Sequence, residues 1–276
     1  MGGSAEMMSK IGLIGYGKMG SSLVLGGIKS GTIRKDSMIV YDLDRDRVNA
    51  AEKCGLRVAR SLSEILDSNA LILAVKPKDL PALLQDNKLA LVENSPLLIS
   101  IVAGISVKRI LSFLGGAPLR VVRVMPNIAA AVNEAMSAFY VNEFVNKDDV
   151  AFVKSLLSGI GKSICVQNEE DLDTITGISG SGPAYFALMI NVLEKIAVER
   201  GLREDVARML AAQTCRGAAT MVLDGGHPPL ELIKMVASPG GTTEEALRVM
   251  EIKGFSEIIA EAVSAAIEKS RKMNRI

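Results

Sequence analysis

The sequence has few aromatic residues, few cysteines and a single histidine. Aromatic side chains make up 4% of its 276 residues, and tryptophan is absent, so there is no platform on which nucleic-acid bases could stack. Cys54, Cys165 and Cys215 are odd in number, far apart and outside any CxxC pair. Neither a disulfide framework nor a metal site is therefore predicted, and the reducing cytoplasm is the expected location.

Neither sign of charge dominates, since 32 basic and 31 acidic residues leave a net charge of +1. That balance provides no general field for nucleic acid or for an anionic membrane. No apolar run reaches membrane-spanning length without a charge, Gly or Pro, and the start MGGSAEMMSK lacks the apolar core of a signal peptide. We interpret residues 1–9 as a tag remnant or a natural ragged end, and expect a small-molecule ligand with no nucleic-acid or membrane partner.

Short runs rich in Val, Ile and Leu recur through the first half of the chain, each bounded by Gly, Pro or charge. They predict strands at Ile11–Gly15, Met38–Tyr41, Ala70–Val75, Leu97–Val102 and Leu119–Val124. Helical patterns such as Lys18–Ser30 and Arg45–Cys54 lie between them. This alternation is typical of a Rossmann-like α/β fold, a doubly wound and mostly parallel sheet. Ala135–Val141 and Lys162–Val166 are candidate edge strands.

The second half of the chain reads as nearly continuous helix. We place the boundary near residue 168, with an α/β domain over residues 1–168 and an all-α C-terminal domain over residues 169–276. Pro183–Glu199 and Arg203–Leu223 are apolar on more than one side, and such helices have to be buried all round. We therefore expect a homo-oligomer assembled through the helical domain; a dense single-chain bundle is the alternative.

The sequence GYGKMG, Gly15–Gly20, follows the first predicted strand and opens the first predicted helix. This is the context that GxGxxG needs to bind a dinucleotide. Gly17 lets the backbone approach a pyrophosphate, and Gly20 lets the helix pack close to the strand. The helix start attracts the anion through its free N–H groups and its dipole. The predicted pyrophosphate residues are Gly15, Tyr16, Gly17, Lys18, Met19 and Gly20.

The second predicted strand ends at Tyr41, and Asp42 lies 22 residues after Gly20 (42 − 20). A carboxylate at this place can bind both ribose hydroxyls of NAD and repels the 2′-phosphate of NADP. Arg45 and Arg47 follow it, and either could reach a phosphate, but a charged start to the next helix is the favoured interpretation of both. The predicted cofactor is NADPH or NADH, and Asp42 favours NADH.

Three further segments follow predicted strands, where ligands bind in such sheets. They are AVKP (Ala74–Pro77), AGIS (Ala103–Ser106) and RVMPN (Arg123–Asn127). Lys76 and Asn127 are the candidate polar contacts, and a surface lysine in a turn is the alternative for Lys76.

From Lys10 onward the chain resembles the pyrroline-5-carboxylate reductase family. The resemblance lies in IGLIGYGKMG, AVKP, AGIS, RVMPN, TGISGSGPAY and MVASPGGTTEEALRVME, of which the last two are specific. It implies NAD(P)H-dependent reduction of the imine 1-pyrroline-5-carboxylate to L-proline, the last step of proline biosynthesis, by hydride transfer from nicotinamide C4. It also implies a homodimer through interlocked helical domains, or a larger ring of dimers, with the substrate between the nicotinamide and the SPGG loop.

The resemblance also assigns residues. Val75, Lys76 and Ala103 line the cofactor, and Ser61 lies near its adenosine end. The catalytic candidates are Thr243, whose hydroxyl would bond the imine nitrogen, and Ser181, for which helix capping is the plain alternative. The substrate-binding candidates are Ser238, Gly240, Gly241, Thr242 and Thr243.

The segment SPGGTTEEAL also predicts a helix start. Thr242 with Glu245 three residues later matches a capping box, which would make Thr242 the N-cap and Thr243 the first helical residue. The free N–H groups of that start suit a substrate carboxylate.

A protonated imine is already electrophilic, so its reduction needs neither a nucleophile nor a metal, and the cofactor carries the difficult step. Two alternatives are kept. Another imine or hydroxy-acid reductase of the same two-domain type would need a catalytic Lys or His in the helical domain. A dinucleotide-sensing regulator would need a basic DNA-binding helix or an effector segment.

Overall fold

The computed structural model of the chain describes residues 8–275; residues 1–7 of the interpreted tag remnant or ragged end lie outside the described residues. One sheet has the strand order β3-β2-β1-β4-β5-β6-β7-β8. Its strands are β1 (Ile11–Ile14), β2 (Met38–Tyr41), β3 (Arg57–Val58), β4 (Ala70–Leu73), β5 (Leu97–Ser100), β6 (Val121–Met125), β7 (Ala135–Val141) and β8 (Gly161–Cys165).

Within the described residues, seven α-helices precede residue 176 and five follow it. The first group is α1 (Lys18–Lys29), α2 (Arg45–Lys53), α3 (Leu80–Asp86), α4 (Lys88–Asn94), α5 (Val107–Phe113), α6 (Lys147–Ser158) and α7 (Asp171–Ile175). The second group is α8 (Gly182–Glu199), α9 (Glu204–Leu223), α10 (Pro229–Val236), α11 (Thr242–Ile252) and α12 (Phe255–Arg275). A π-helical turn, Thr176–Gly180, joins the groups. None of the described helices is long and apolar enough to cross a membrane.

The predicted Rossmann-like sheet is confirmed. β1 pairs in parallel with β2 and with β4, and Ile14 lies opposite both Tyr41 and Leu73. The carboxyl ends of these three strands are therefore level at one edge of the sheet. All four residues of β1, of β4 and of β5 are buried, because helices cover both faces of a parallel sheet.

Two details of the sheet differ from the sequence prediction. Ala135–Val141 is not an edge strand: β7 pairs antiparallel with β6 and parallel with β8. Ala138 and Phe139, which point to opposite faces of the sheet, are both fully buried, which suits an interior strand. The two-residue β3 at the other edge escaped prediction because it is too short to show a period.

The chain forms two compact units. The first comprises the described residues up to Gly180 together with those from Ile267 onward, and the second comprises Ser181–Ala266. The helix α12 therefore begins in the second unit and ends in the first. Residues 169–180 lie in the first unit, although we assigned them to the helical domain; the boundary at residue 168 stays a prediction.

The two units differ in how they bury apolar side chains. The first has a buried apolar cluster on each face of the sheet, centred on residues such as Leu13 and Val40 on one face and Leu71 and Leu98 on the other. In the second unit the buried residues are Gly182, Ala207 and Ala211.

Candidate active site

A cleft of ≈ 740 Å³ lies at the carboxyl ends of β1, β2 and β4. Ten of the fourteen predicted cofactor residues line it: Gly15, Gly17, Lys18, Met19, Gly20, Asp42, Ala74, Val75, Lys76 and Pro77. Arg47, which the sequence offered as a possible phosphate contact, also lines it, and so do residues that the sequence did not indicate, among them Leu43, Asp44, Leu62 and Asp79. These follow β2 or β4 or lie beyond β3, so the rule that ligands bind at carboxyl ends could have found most of them.

The glycine-rich loop has the shape that a pyrophosphate needs. Gly15 has φ +101°, and an ideal Cβ there would lie 2.6 Å from the carbonyl oxygen of Ala74. At Gly20 an ideal Cβ would lie 2.3 Å from the carbonyl oxygen of Gly15, so the helix approaches the strand closely. At Gly17 the nearest atom is Nη1 of Arg47, at 3.6 Å. The backbone of Gly17 is thus open toward the cleft, and Gly17 is also the N-cap of α1.

Asp42 holds the glycine-rich loop as well as facing the cleft. Its Oδ2 accepts a hydrogen bond from the N–H of Tyr16 at 2.6 Å, and its Oδ1 accepts one from the N–H of Asp44 at 2.9 Å. Arg47 lies between two carboxylates, with Nη1 3.6 Å from Oδ2 of Asp42 and Nε 3.5 Å from Oδ2 of Asp44. The Asp42 side chain is only 7% exposed. Its carboxylate therefore already interacts with the loop and with Arg47.

Four predicted cofactor residues are not among those that line the cleft. The Tyr16 side chain is buried in the core, where its hydroxyl has no hydrogen-bond partner among the described residues. Burial first, and the nearby Cys54 second, raise the pKa of that hydroxyl. Ser61 is exposed and forms a capping box with Glu64. Ala103 is exposed.

Asn127 is the fourth of these residues, and its amide is used inside the first unit. Nδ2 donates to the carbonyl oxygen of Ser179 at 3.1 Å and to its hydroxyl at 3.3 Å. Oδ1 accepts from the N–H of Ala129 at 3.1 Å. The Ser179 hydroxyl donates in turn to the carbonyl oxygen of Met136 at 2.8 Å. Asn127 therefore fixes the π-helical turn that precedes Ser181.

In the second unit, the predicted capping box at Thr242 is wrong. Gly241 is the N-cap of α11, so Thr242 and Thr243 are its first two residues. Glu244, rather than Glu245, reaches back: its Oε2 accepts from the N–H of Gly240 at 2.7 Å. Glu245 pairs with Arg248 instead. Gly240 has φ +71° and turns the chain just before α11. The helix therefore starts one residue earlier than the spacing of Thr242 and Glu245 indicates.

Ser181 directly precedes α8 in the same unit, with Pro183 in the first turn of that helix. Its side chain makes no capping hydrogen bond to the described backbone. The Ser181 hydroxyl therefore does not cap α8.

Residues 169–273 match the family model for pyrroline-5-carboxylate reductase dimerisation, and residues 10–104 match the model for NADP oxidoreductase, coenzyme F420-dependent. The chain is 38% identical over 269 residues to pyrroline-5-carboxylate reductase of Methanosarcina acetivorans, covering 96% of this chain and 98% of the relative. It is 35% identical over 271 residues to that of Escherichia coli K12, covering 98% and 100%. The chain belongs to the pyrroline-5-carboxylate reductase family.

Two solved structures of pyrroline-5-carboxylate reductases share the whole fold with this member of the family. The enzyme from Coxiella burnetii has a TM-score of 0.89 and 32% identity, and the match covers 96% of this chain and 98% of that one. The Plasmodium falciparum enzyme, solved with NADP bound, has a TM-score of 0.87 and 31% identity, covering 99% and 100%. Both units are thus typical of the pyrroline-5-carboxylate reductase fold.

Proposed function

We propose that the chain reduces 1-pyrroline-5-carboxylate to L-proline, with the hydride drawn from C4 of a reduced nicotinamide dinucleotide. The observation that carries the proposal is the cleft at the open face of Gly17, in a chain matched over nearly its whole length by pyrroline-5-carboxylate reductases. The residues around the cleft fit a dinucleotide, since a glycine N-cap offers the backbone N–H groups of α1 to a pyrophosphate.

The substrate assignment rests on the start of α11. Its first backbone N–H groups have no partner within the helix, and Gly240 and Gly241 carry no side chains that would block an anion. The N–H of Gly240 is bonded to Glu244, so a substrate carboxylate there would have to displace that side chain. The Arg248 guanidinium lowers the pKa of Glu245 and holds this carboxylate within an ion pair. We assign the substrate carboxylate to Ser238, Gly240, Gly241 and Thr242, and the imine nitrogen to the hydroxyl of Thr243.

The chemistry requires little more of the protein than orientation. A bound reduced nicotinamide supplies the hydride, and the chain has to hold the imine carbon against it. The hydroxyls of Thr243 and Ser181 are the groups that we assign to keep the imine nitrogen protonated and oriented.

NADH is the cofactor that we propose as preferred. Asp42 and Asp44 both lie within 3.6 Å of the Arg47 guanidinium, so the single positive charge is offset by two carboxylates. A 2′-phosphate would bring two more negative charges to this place, whereas a free ribose hydroxyl could donate to Asp42.

The family membership includes a dimerisation domain, and the exposed apolar faces of α8 and α9 agree with a homo-oligomer. We further propose that the oligomer is a dimer, or a ring of dimers, and that the protein works in the cytoplasm, where its three free cysteines stay reduced. Light scattering distinguishes the two assemblies.

The test is oxidation of NADH and of NADPH, each measured separately at 340 nm, on addition of pyrroline-5-carboxylate. We expect turnover with both cofactors and a higher kcat/KM with NADH. If neither cofactor supports turnover, the proposed reaction is wrong. A higher kcat/KM with NADPH than with NADH would contradict only the cofactor preference.

A further inference from the structure

A cluster of buried polar side chains ties the end of α12 to the first unit. We call it the C-terminal clasp, and it consists of Arg123, Glu169, Asp173, Ser270 and Asn274. Arg123, Asp173 and Ser270 are each less than one-tenth exposed. Charged side chains are rarely buried unless they are paired. None of these residues has a part in the proposed reaction, so we ask what their pairing holds in place.

Asn274 joins the two charged parts of the clasp. Its Oδ1 accepts from Nη2 of Arg123 at 3.0 Å, and its Nδ2 donates to Oδ1 of Asp173. The same oxygen of Asp173 accepts from the hydroxyl of Ser270 at 2.6 Å. Only a side chain that donates and accepts can bridge a guanidinium and a carboxylate in this way, and an amide has both groups in a fixed geometry.

The clasp continues to the AGIS loop. Oε1 of Glu169 accepts from Nη1 of Arg123 at 2.8 Å and also from the N–H of Val107 at 2.8 Å. Val107 is the first residue of α5, directly after the AGIS loop. The orientation of Arg123, set by Asn274, therefore fixes the carboxylate that holds the start of α5.

α12 also touches the AGIS loop directly. Gly104 has φ +72°, and an ideal Cβ there would lie 3.2 Å from Cβ of Met273. The loop is thus held on one side by the Glu169–Val107 bond and on another by Met273, and both depend on where the last turns of α12 lie. Ala103, beside Gly104, is the residue of this loop that the family resemblance assigns to the cofactor, and the loop follows the carboxyl end of β5, where ligands bind in such sheets.

We propose that Asn274 is a positioning residue for cofactor binding, acting through Arg123 and Glu169 on the AGIS loop. The proposal depends on the proposed function at one point, the contact of Ala103 with the bound cofactor. It assigns to the last two turns of α12 a part in the nucleotide site, although they are far from GYGKMG in the sequence.

The experiment measures amide hydrogen exchange of residues 103–107 and the Kd for NADH by calorimetry, neither of which requires turnover. Asn274→Asp keeps an acceptor for Arg123 but replaces the donor to Asp173 with a second carboxylate. The two carboxylates repel, and as residue 274 moves away from Asp173 it draws Arg123 away from Glu169, so we expect faster exchange and a Kd raised roughly tenfold near neutral pH. Lowering the pH should reduce both effects, because two adjacent carboxylates then share a proton. The clasp borders a cavity of ≈ 310 Å³, and the charged residues that line it besides Arg123, Glu169 and Asp173 are Glu170 and Arg271.

The double variant Asp173→Asn with Asn274→Asp exchanges the two side chains and restores one carboxylate and one amide. We expect it to recover most of the lost affinity. Lys272→Ala, an exposed change in the same turn of α12, is the matched control and should leave exchange and Kd unchanged. Asn274→Ser removes both contacts without adding charge, and serves if the aspartate variant does not fold.

Unchanged exchange at residues 103–107 in the Asn274 variants would overturn the proposal, and so would faster exchange with an unchanged Kd. A double variant as weak as the single one would overturn the pairing of Asn274 with Asp173. If the wild-type chain binds NADH but does not reduce the imine, the reaction assignment fails and the clasp is still tested.

Discussion

The two compact units of this chain differ in the exposure of their apolar side chains. In the first unit, Leu13, Val40 and Leu73 are fully buried by the chain itself. In the second, Phe186 is 63% exposed and Met209 is 62% exposed, although both lie on long helices. The composition of the chain does not separate these cases, since both units are rich in Leu, Ile and Val.

The difference lies in geometry. A sheet with helices on both faces provides two closed layers from local βαβ units, so a single chain completes its own core. Two long helices in contact provide one shared surface and leave their outer faces open. The second unit therefore depends on a second copy of the chain for its core, which agrees with its match to a dimerisation domain.

The largest expected effect is the loss of the oligomer when the exposed apolar face of the second unit is changed. Phe186→Glu places a charge on an apolar face that another subunit has to cover, so we expect loss of the oligomer and a fall in unfolding free energy of roughly 4 kcal/mol. Leu89→Glu is the matched control, because Leu89 is 84% exposed in the self-sufficient first unit. Light scattering and denaturant unfolding measure both variants. An intact oligomer in Phe186→Glu would show that the two units do not differ as described.

A smaller effect separates two glycines of the first unit. Gly20→Ala would force a Cβ to 2.3 Å from the carbonyl oxygen of Gly15, so we expect a loss of about 1–3 kcal/mol in stability. Gly17→Ala meets no atom closer than 3.6 Å and should cost less stability, roughly 0.5–1 kcal/mol for the poorer N-cap of α1, yet weaken NADH binding at least about tenfold, or about 1.4 kcal/mol. Thermal unfolding and calorimetry measure the pair, and equal losses of stability would contradict the assigned roles.

The smallest expected effects are on kinetic constants, and they separate cofactor binding by the first unit from substrate orientation by the second. Asp42→Ala in the first unit should raise the KM for NADH roughly tenfold, since a hydrogen bond to a carboxylate contributes about 1.5–3 kcal/mol, and should raise it more than the KM for NADPH. Thr243→Ala in the second unit should lower kcat roughly tenfold while cofactor binding is unchanged.

Two conservative variants control this last comparison. Thr243→Ser keeps the hydroxyl and should retain most of kcat, while Asp46→Ala removes a neighbouring charge without touching the loop bond of Asp42. Equal loss of NADH and NADPH use in Asp42→Ala would show that Asp42 serves only the N–H of Tyr16.

What the sequence could predict was local. GYGKMG specifies its own turn and helix start, and the alternation of short apolar runs with helices specifies the sheet, so β1, β2 and α1 begin where the pattern places them. The interior position of β7 depends on pairing with β6 and β8, which no window of sequence contains. The cap of α11 was decided by a contact of Glu244 with Gly240, against an equally good Thr242–Glu245 spacing. Likewise, Asn127 follows β6 near the carboxyl edge of the sheet, yet its amide is bonded to Ser179.

The path of α12 has a practical consequence. Because this helix carries the chain back to the first unit, the second unit is an insertion between two parts of the nucleotide-binding fold and not an appendage to it. No single cut of the polypeptide releases either unit whole. A truncation before Ile267, meant to trim a helical tail, would remove one wall of the loop that follows β5.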